Sequence, residues 1–561
     1  MAAAYTTPFD ETLSELTLPR LLENRAAELG EETFIRYSPD SRQVSFAELN
    51  RTANAVGNAL RDLGIEPDDP IAVMVDRALP TVFSMVGTQK AGALFAPINT
   101  EHEGQPLVHQ INDAAADVAI VGETQVEQFE AVADRVETVP KLVVVPEVDD
   151  GTVDASGPHS SFQELLDGEP DAPPVERDWS DPSILIYTAG TTDKPRGVPI
   201  SHRHLVGNTS RSGLLLYDRD DVLHNSIPLH HIAGVSEVVR VLLTGAELAL
   251  WDGFDPAEFW DRIDRYGATS TMLFPPMINW LLDAEPQEDD AHNTLRKSIS
   301  SITPDYLELA KRFGIELIET EFTQTETGPI ATSLVHTAAS GAKTPSEFQT
   351  GKSTAEVLQT AESMDVPVVD EIPQPEPEYT YVGVPRTDDF TVRLLDTTGE
   401  QLPPESVGEI AVRPETPAVM MPHYYENAEA TLGVWENLWH HTRDAGYVDA
   451  DGNLYFIGRL HGIIRRRGEN ISPGQIEAVV NDHERVNDAA ALPVAGESGE
   501  DDIALAVRRT EGATLDEAQL QAHIENALPS YMQPTYVEFM EELPSPPESH
   551  EEKETLRDRF A

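Results

Sequence analysis

Between Tyr187 and Gly197 the chain gathers three hydroxyls, two glycines and two cations: Thr188, Thr191 and Thr192, Gly190 and Gly197, Lys194 and Arg196, all within SILIYTAGTTDKPRGVPISH. The apolar run before them reads as a buried strand, so these polar residues fall on the loop that leaves its end. Hydroxyls donate to phosphate oxygens, glycines let backbone N–H groups approach an anion, and cations offset its charge. The composition is that of a phosphate cradle, with an ordinary Gly/Thr turn between strands as the competing reading. A Walker loop is excluded, because that motif needs Lys followed by Ser or Thr and Lys194 precedes Pro195. Paired imidazoles occur at His230/His231 and His440/His441, but neighbours on a strand face opposite ways and no HExxH spacing exists, so neither pair predicts a metal site. The absence of cysteine removes disulfides, thiolate metal sites and cysteine nucleophiles together.

These residues need elements to hold them. Ser45 with Glu48 makes a capping box ahead of Phe46, Leu49, Ala53, Val56, Leu60 and Leu63, a helical stripe that stops before Gly64. PIAVMV then reads as strand, an apolar helix reaches Ala91 and Gly92, ALFAPI is strand, QPLVHQINDA helix and DVAIV strand. The alternation resumes from Ser183 to about Val335 and predicts a mainly parallel α/β sheet. Residues 338–378 show neither period and end in DEIPQPEPE, which predicts a mobile surface insertion. DFTVRLLD and GEIAVR are alternating strands, expected to form a smaller β-rich subdomain packed on the first. From Gly458, LHGIIRRRGENI reads as two strands around Gly468; Ser472, Pro473 and Gln475 open one helix, Thr514 with Glu517 another, and TYVEFM closes as a strand. The expected fold class is α/β: a large N-terminal domain over 1–457 of α/β layers plus the β-rich subdomain, then a small α+β C-terminal domain over 458–561.

Taken in order, these segments resemble the adenylate-forming superfamily of acyl-CoA synthetases, luciferases and peptide-synthetase adenylation domains. YTAGTTDKPRG is similar to that family's YTSGTTGKPKG, PLHHIAG (Pro228 to Gly234) to P-x-F-H-x-x-G, FTQTETG (Phe322 to Gly328) to Y-G-x-T-E, HTRD (His441 to Asp444) to Y-x-T-G-D, and GRLHGIIRRRGENISPGQIE (Gly458 to Glu477) to the inter-domain hinge segment. The likeness runs from about residue 15 to 561 apart from the insertion, with a narrower and weaker one to crotonobetaine/carnitine-CoA ligase and its short-chain relatives. It implies a reaction in two steps. A carboxylate attacks the α-phosphorus of ATP to give acyl-AMP and pyrophosphate, and a thiol, usually coenzyme A, then displaces AMP. ATP, Mg2+ and coenzyme A as co-substrate are the implied cofactors.

By the same resemblance, Thr188, Ala189, Gly190, Thr191, Thr192, Lys194, Thr325, Asp444 and Arg459 bind the nucleotide, Asp444 accepting the ribose hydroxyls. Lys194, Thr325, Glu326 and His550 take the catalytic positions, and Glu326 ligates magnesium. His231 falls near the acyl pocket. His461 occupies the hinge about which the small domain is expected to rotate. Arg465, Arg466 and Arg467 with Gly468 are expected to meet the phosphates of coenzyme A, because a basic run is out of place in so acidic a chain; anchoring of the small domain on the acidic large one is the alternative.

The pattern also breaks. Where the family has the lysine of L-P-x-T-x-x-G-K, the tail LPSPPESHEEKETLRDRF puts His550, with Ser549 for the glycine and Lys553 as the nearest ammonium. An imidazole of ordinary pKa about 6.5 is a shorter and weaker cation than lysine. Asp193 and Arg443 replace glycines, and His461 replaces the usual Asp or Lys of the pivot. Two other functions follow from these departures or stand beside them: a degenerate homologue that binds nucleotide or acyl-adenylate with little turnover, and an enzyme passing its acyl group to a carrier protein.

Across 561 residues, 98 Asp and Glu oppose 31 Arg and 8 Lys, a net charge of −59. Such a surface repels nucleic acid and anionic membranes, and 40% apolar residues with clear periodicity exclude disorder as the origin of the charge. The acidity reads as adaptation to a very salty cytosol, against the alternative of an acidic protein from an ordinary cell. No cation precedes Arg20 and no run of eighteen apolar residues occurs, so a cytoplasmic location without a membrane span is expected. The partners expected are a small carboxylic acid, ATP and coenzyme A; oligomeric state is not legible. Lowering KCl from 1 M to 0.1 M lengthens screening from about 3 Å to about 10 Å, so the thermal unfolding midpoint is expected to fall on desalting; a midpoint that holds or rises contradicts the salt-adapted reading.

Overall fold

The computed structural model describes all residues except 1–14, 39–40, 148–158, 189–194, 338–340, 342, 374, 376–378, 397, 460–463, 468, 472, 497–499, 511, 541–542, 544–555, 558 and 561. Ala189, Gly190, Thr191, Thr192 and Lys194 of the threonine loop, with Ser472, His461, Gly468 and His550, lie outside the described residues.

The β-branched runs pair as their burial demands. Pro70–Met74, Leu94–Pro97, Val118–Gly122 and Lys141–Val145 are parallel neighbours, with every residue of the first three buried. Pro182–Thr188 joins beside Leu94–Pro97 and pairs antiparallel with Arg196–Ser201, so the strands on either side of the threonine-rich segment are partners at the edge of a seven-stranded sheet. The helix Phe46–Asp62 carries the expected apolar stripe, and Ser45 Oγ accepts from the Glu48 N–H at 3.1 Å. The reciprocal half of the box does not form, because the Glu48 carboxylate accepts from Arg42 at 3.2 Å.

A second, larger sheet runs parallel through Thr33–Tyr37, Glu247–Leu250, Val222–Asn225, Ser270–Leu273, Lys297–Ser300 and Leu317–Gln324. It turns antiparallel at Gly328–His336 and continues through Thr380–Pro385, Leu454–Arg459, Trp439–Val448, Val407–Pro414 and Phe390–Leu395. The strands expected as a separate packed subdomain are thus one hydrogen-bonded path with the parallel strands. Gly383 makes the join: its φ is +102°, and a Cβ there would lie 2.4 Å from the Thr332 carbonyl carbon.

Beyond residue 463 the chain gathers a core of its own, in which Ile464, Ile476, Leu505, Leu520 and Ile524 are buried together. The strands around position 468 form as Ile464–Arg466 and Glu469–Ile471. The helix expected from Thr514 and Glu517 begins later, at Glu517–Glu525, capped by Asp516 with Gln519 as the reciprocal partner. Among the described residues no helix is long and apolar enough to cross a membrane.

The insertion departs most from expectation. Thr354–Ser363 is a helix with a complete Ser353/Glu356 capping box, and Val357, Ala361, Met364 and Val366 join the main core. Buried ions tie it down: Lys297 pairs with Asp221 and donates to the Lys352 carbonyl at 3.3 Å, Arg296 donates to the same carbonyl at 3.0 Å, and the Lys352 N–H donates to Asp221 at 3.1 Å. Lys297→Met strands the Asp221 carboxylate, itself 1% exposed, in the interior. The free energy of unfolding is expected to fall by about 3–5 kcal/mol, with faster proteolysis within residues 343–373; a loss under about 1 kcal/mol contradicts this anchoring.

Candidate active site

The threonine loop leaves one sheet where a tight turn of the other meets it. Thr188, the last residue of its strand, donates from Oγ1 to Glu326 Oε1 at 3.3 Å, and the Tyr424 hydroxyl donates to the same oxygen at 2.9 Å. Burial, with the Glu326 carboxylate beside it, pushes the Tyr424 phenol far above its ordinary range, so it stays a donor. The Met421 N–H donates to the Glu326 carbonyl at 2.8 Å and draws the 421–425 segment onto the turn. Arg196, in register with Thr188 across the hairpin, stands with its guanidinium 5.2 Å from the Tyr424 ring centre. Gly197 is fixed by packing: its carbonyl accepts from the Tyr425 N–H at 2.8 Å, and a Cβ would lie 2.9 Å from Leu185 Cδ1.

Thr325 and Glu326 belong to the turn between Leu317–Gln324 and Gly328–His336. Gly328 lets that turn close, with φ +67° and space for a Cβ taken by Asn208 Nδ2 at 2.2 Å. The residue before Thr325 reaches the other way: Gln324 Nε2 donates to Asp444 Oδ2 at 2.6 Å and to the Thr442 carbonyl at 2.9 Å. Asp444 is 1% exposed and pairs in register with Arg459 on the next strand. Thr188, Thr325, Glu326 and Asp444, predicted from separate segments, therefore meet within one cluster. Gln324 and Tyr424, which the sequence did not single out, join it.

The imidazole pairs divide. On the strand Trp439–Val448, His440 is buried while His441 Nδ1 meets Glu409 at 2.8 Å, as opposite-face reasoning expects. His230 and His231 are not on a strand but at the start of the helix Ile232–Thr244, and their rings converge to 4.4 Å between centres. The geometric ground for excluding them as ligands together therefore fails; with Glu469 they offer three ligand atoms within 4.8 Å of one another. Glu469 Oε1 lies 3.4 Å from His230 Nε2 and 3.1 Å from His231 Nε2, and accepts from Asn99 Nδ2 at 3.0 Å. Burial by itself raises a carboxyl, yet the two imidazoles hold Glu469 well below the usual range. Burial likewise opposes a charge on His231, and Glu469 outweighs it, so its pKa is raised, while that of His230 is lowered by burial and by His231.

His231 thus faces a cavity of about 60 Å³ between the small domain and the rest, which Tyr187, Pro195 and Tyr531 also line. Its neighbours Ile232 and Ala233 line a different cavity, of about 110 Å³, which Gln324 and Gly328 also line. His231 itself is not among the described residues lining that second cavity; the carboxylate of Glu469 holds its ring at the domain boundary. The arginine run is partly spent within its own domain. Arg465 stands 4.0 Å from Glu500, Arg466 stands 3.8 Å from Asp502 and donates to the Gln533 carbonyl, and exposed Arg467 donates to Ser530 Oγ at 3.1 Å. In Glu469→Gln, the His231 pKa read by imidazole NMR is expected to drop from above to below 6.5; an unmoved titration contradicts the pairing.

The cluster's chemistry fits a nucleotide with a hard cation. A carboxylate braced by an amide suits a vicinal diol, hydroxyl donors suit phosphate oxygens, and a second carboxylate offers an oxygen ligand to a divalent ion. Comparison with known proteins gives the family. Residues 22–425 match the AMP-binding enzyme family and residues 475–548 its C-terminal domain. The crotonobetaine/carnitine–CoA ligases of Salmonella arizonae and Escherichia coli O157:H7 are each 25% identical, the first over 514 residues (90% of this chain, 91% of the relative) and the second over 517 (90% of each). The amide bond synthetase McbA from Marinactinospora thermotolerans has a similar fold at TM-score 0.75 and 20% identity (97% of this chain, 100% of that one). So does the o-succinylbenzoate CoA synthetase of Bacillus subtilis, at TM-score 0.74 and 19% identity (97% and 99%). With its family match extending over residues 22–425, most of the chain, the protein belongs to the AMP-binding enzymes.

Proposed function

We propose that this protein is an ATP-dependent acid–thiol ligase, which activates a carboxylic acid as acyl-AMP and passes it to coenzyme A. The observation that carries this reading is the turn 324–326, which holds Glu326 against Thr188 and Gln324 against Asp444. Carboxylate and triphosphate repel, so the first step needs positioning and charge neutralisation rather than a nucleophilic side chain. In this scheme Asp444, with Arg459 beside it, holds the ribose diol, and Ala189, Gly190, Thr191, Thr192 and Lys194 hold phosphate oxygens. Thr325 serves the α-phosphate and Glu326 supplies an oxygen to Mg2+, whose charge offsets that of the phosphates. Thr188 and Tyr424 orient the Glu326 carboxylate, leaving its second oxygen for the metal.

The thiol step falls to the small domain, turning about His461. The cavity lined by His231, Tyr187 and Tyr531 leads toward the root of the threonine loop and is the path we assign to the thiol arm. Arg467, exposed beside it, is the member of the basic run best able to meet the phosphates of coenzyme A, since Arg465 and Arg466 already face acids of their own domain. His550 would serve the carboxylate in the lysine position, and works best where it is protonated. A salt-rich cytoplasm as the setting rests on the charge of −59.

Carboxylate-dependent ATP–pyrophosphate exchange in molar KCl tests the reading. Exchange is expected in the parent protein and is expected to fall about 100-fold in Glu326→Gln, while Asp444→Ala weakens ATP binding by at least about tenfold. Exchange that coenzyme A does not turn into net thioester overturns the second step, and ATP binding without exchange favours a degenerate homologue.

A further inference from the structure

The cavity of about 110 Å³ beside Gln324 is lined mainly by apolar surface, to which Leu205, Ile232, Met272 and Phe274 contribute, with hydroxyls such as Ser236 and Ser300 and one charged pair among them. There Arg240, from the helix Ile232–Thr244, meets Glu321, from the strand Leu317–Gln324. The Arg240 side chain is 3% exposed and that of Glu321 11%. Arg240 uses Nε on Ser212 Oγ at 2.9 Å and Nη1 on Glu237. Its Nη2 lies 3.8 Å from Glu321 Oε1, close enough for attraction but too far for a hydrogen bond. Among the described residues the Glu321 carboxylate accepts no hydrogen bond, and His204 Nδ1, a buried atom of the same lining, also has no partner. An acceptor, Glu321, and a donor, Arg240 Nη2, thus line a mainly apolar cavity side by side with hydrogen-bonding capacity left over, and leaving such groups unmade is costly.

We infer that this cavity takes the tail of a short carboxylic acid ending in a neutral group that both donates and accepts hydrogen bonds, a hydroxyl or an amide, and that Arg240 and Glu321 select it. The inference rests on the ligase reading above and names its substrate class. A hydroxyl donates to Glu321 and accepts from Arg240 at once. An alkyl end leaves both unmet, a second carboxylate meets Glu321, and an ammonium meets Arg240. A quaternary ammonium can do neither, and among the described residues Phe274 is the sole Phe, Tyr or Trp of the lining, too few for an aromatic cage. Size agrees: with ~10–15 Å³ admitting one water-sized group, about 110 Å³ holds roughly seven to eleven non-hydrogen atoms, the size of a short acid.

The test is ATP–pyrophosphate exchange in molar KCl with matched acids: 4-hydroxybutyrate and succinamate against pentanoate, decanoate, succinate and 4-aminobutyrate. The expected result is kcat/KM for 4-hydroxybutyrate at least about tenfold above that for pentanoate, its near isostere, since a site built to hydrogen-bond a tail rejects one that lacks it. Decanoate, succinate and 4-aminobutyrate are expected to be poorer still. In Glu321→Gln the preference for 4-hydroxybutyrate over pentanoate is expected to shrink severalfold. This variant is preferred to one at Arg240, whose loss would leave Glu237 buried and unpaired. Equal or better use of pentanoate or decanoate, a preference for either charged tail, or an unchanged ratio in the variant overturns the inference and leaves the ligase reading standing. Exchange with no acid in the panel overturns the ligase reading itself.

Discussion

A single carboxylate oxygen, Glu326 Oε1, accepts from Thr188 of one sheet and from Tyr424 of the segment that crosses between the sheets. The two sheets bury apolar residues in one shared core, and because such burial is non-directional it does not by itself dictate their register at the site. Hydrogen bonds to a charged acceptor are directional and among the stronger ones a protein makes. They therefore fix where the loop leaving Thr188 emerges relative to the turn 325–327. Gln324 extends the constraint by two residues to Asp444, so four chain segments are aligned through one hairpin turn.

The same economy governs buried charge elsewhere. Lys297 and Asp221 sit beneath the segment 350–352, Arg240 lies between Glu237 and Glu321, and Glu469 faces two imidazoles. An ion pair of this kind is weak evidence for stability and good evidence for a specified arrangement, because one partner misplaced leaves the other uncompensated. In a chain of charge −59, scarce cations are spent where geometry matters: one pair docks the insertion, another lies beside the site, and Glu469 docks the small domain.

The alternating strands and helices were legible because their periods are local. So were Glu326 and Asp444, whose neighbours Thr325 and Thr442 belong to turns and strands that short motifs encode. Gln324 was not, since its position in the motif tolerates any residue and its role appears only when Asp444 arrives from 120 residues away. Tyr424 lies in a stretch with neither period. The insertion helix did carry a local signal, Ser353 with Glu356 ahead of Val357 and Ala361, but its anchors Arg296 and Lys297 are distant in sequence. For His230 and His231 the opposite-face rule did not apply, because they lie in a turn rather than on a strand, and their partner Glu469 lies 239 and 238 residues further on.

That distant segments converge on one nucleotide is the central claim, and a crystal structure grown in molar KCl with Mg2+ and a non-hydrolysable ATP analogue tests it most directly. The account requires the ribose hydroxyls on Asp444, the phosphates on the loop that follows Thr188, and the metal on Glu326. Nucleotide bound elsewhere, with Asp444 still engaged by Gln324 and untouched by the sugar, would contradict it.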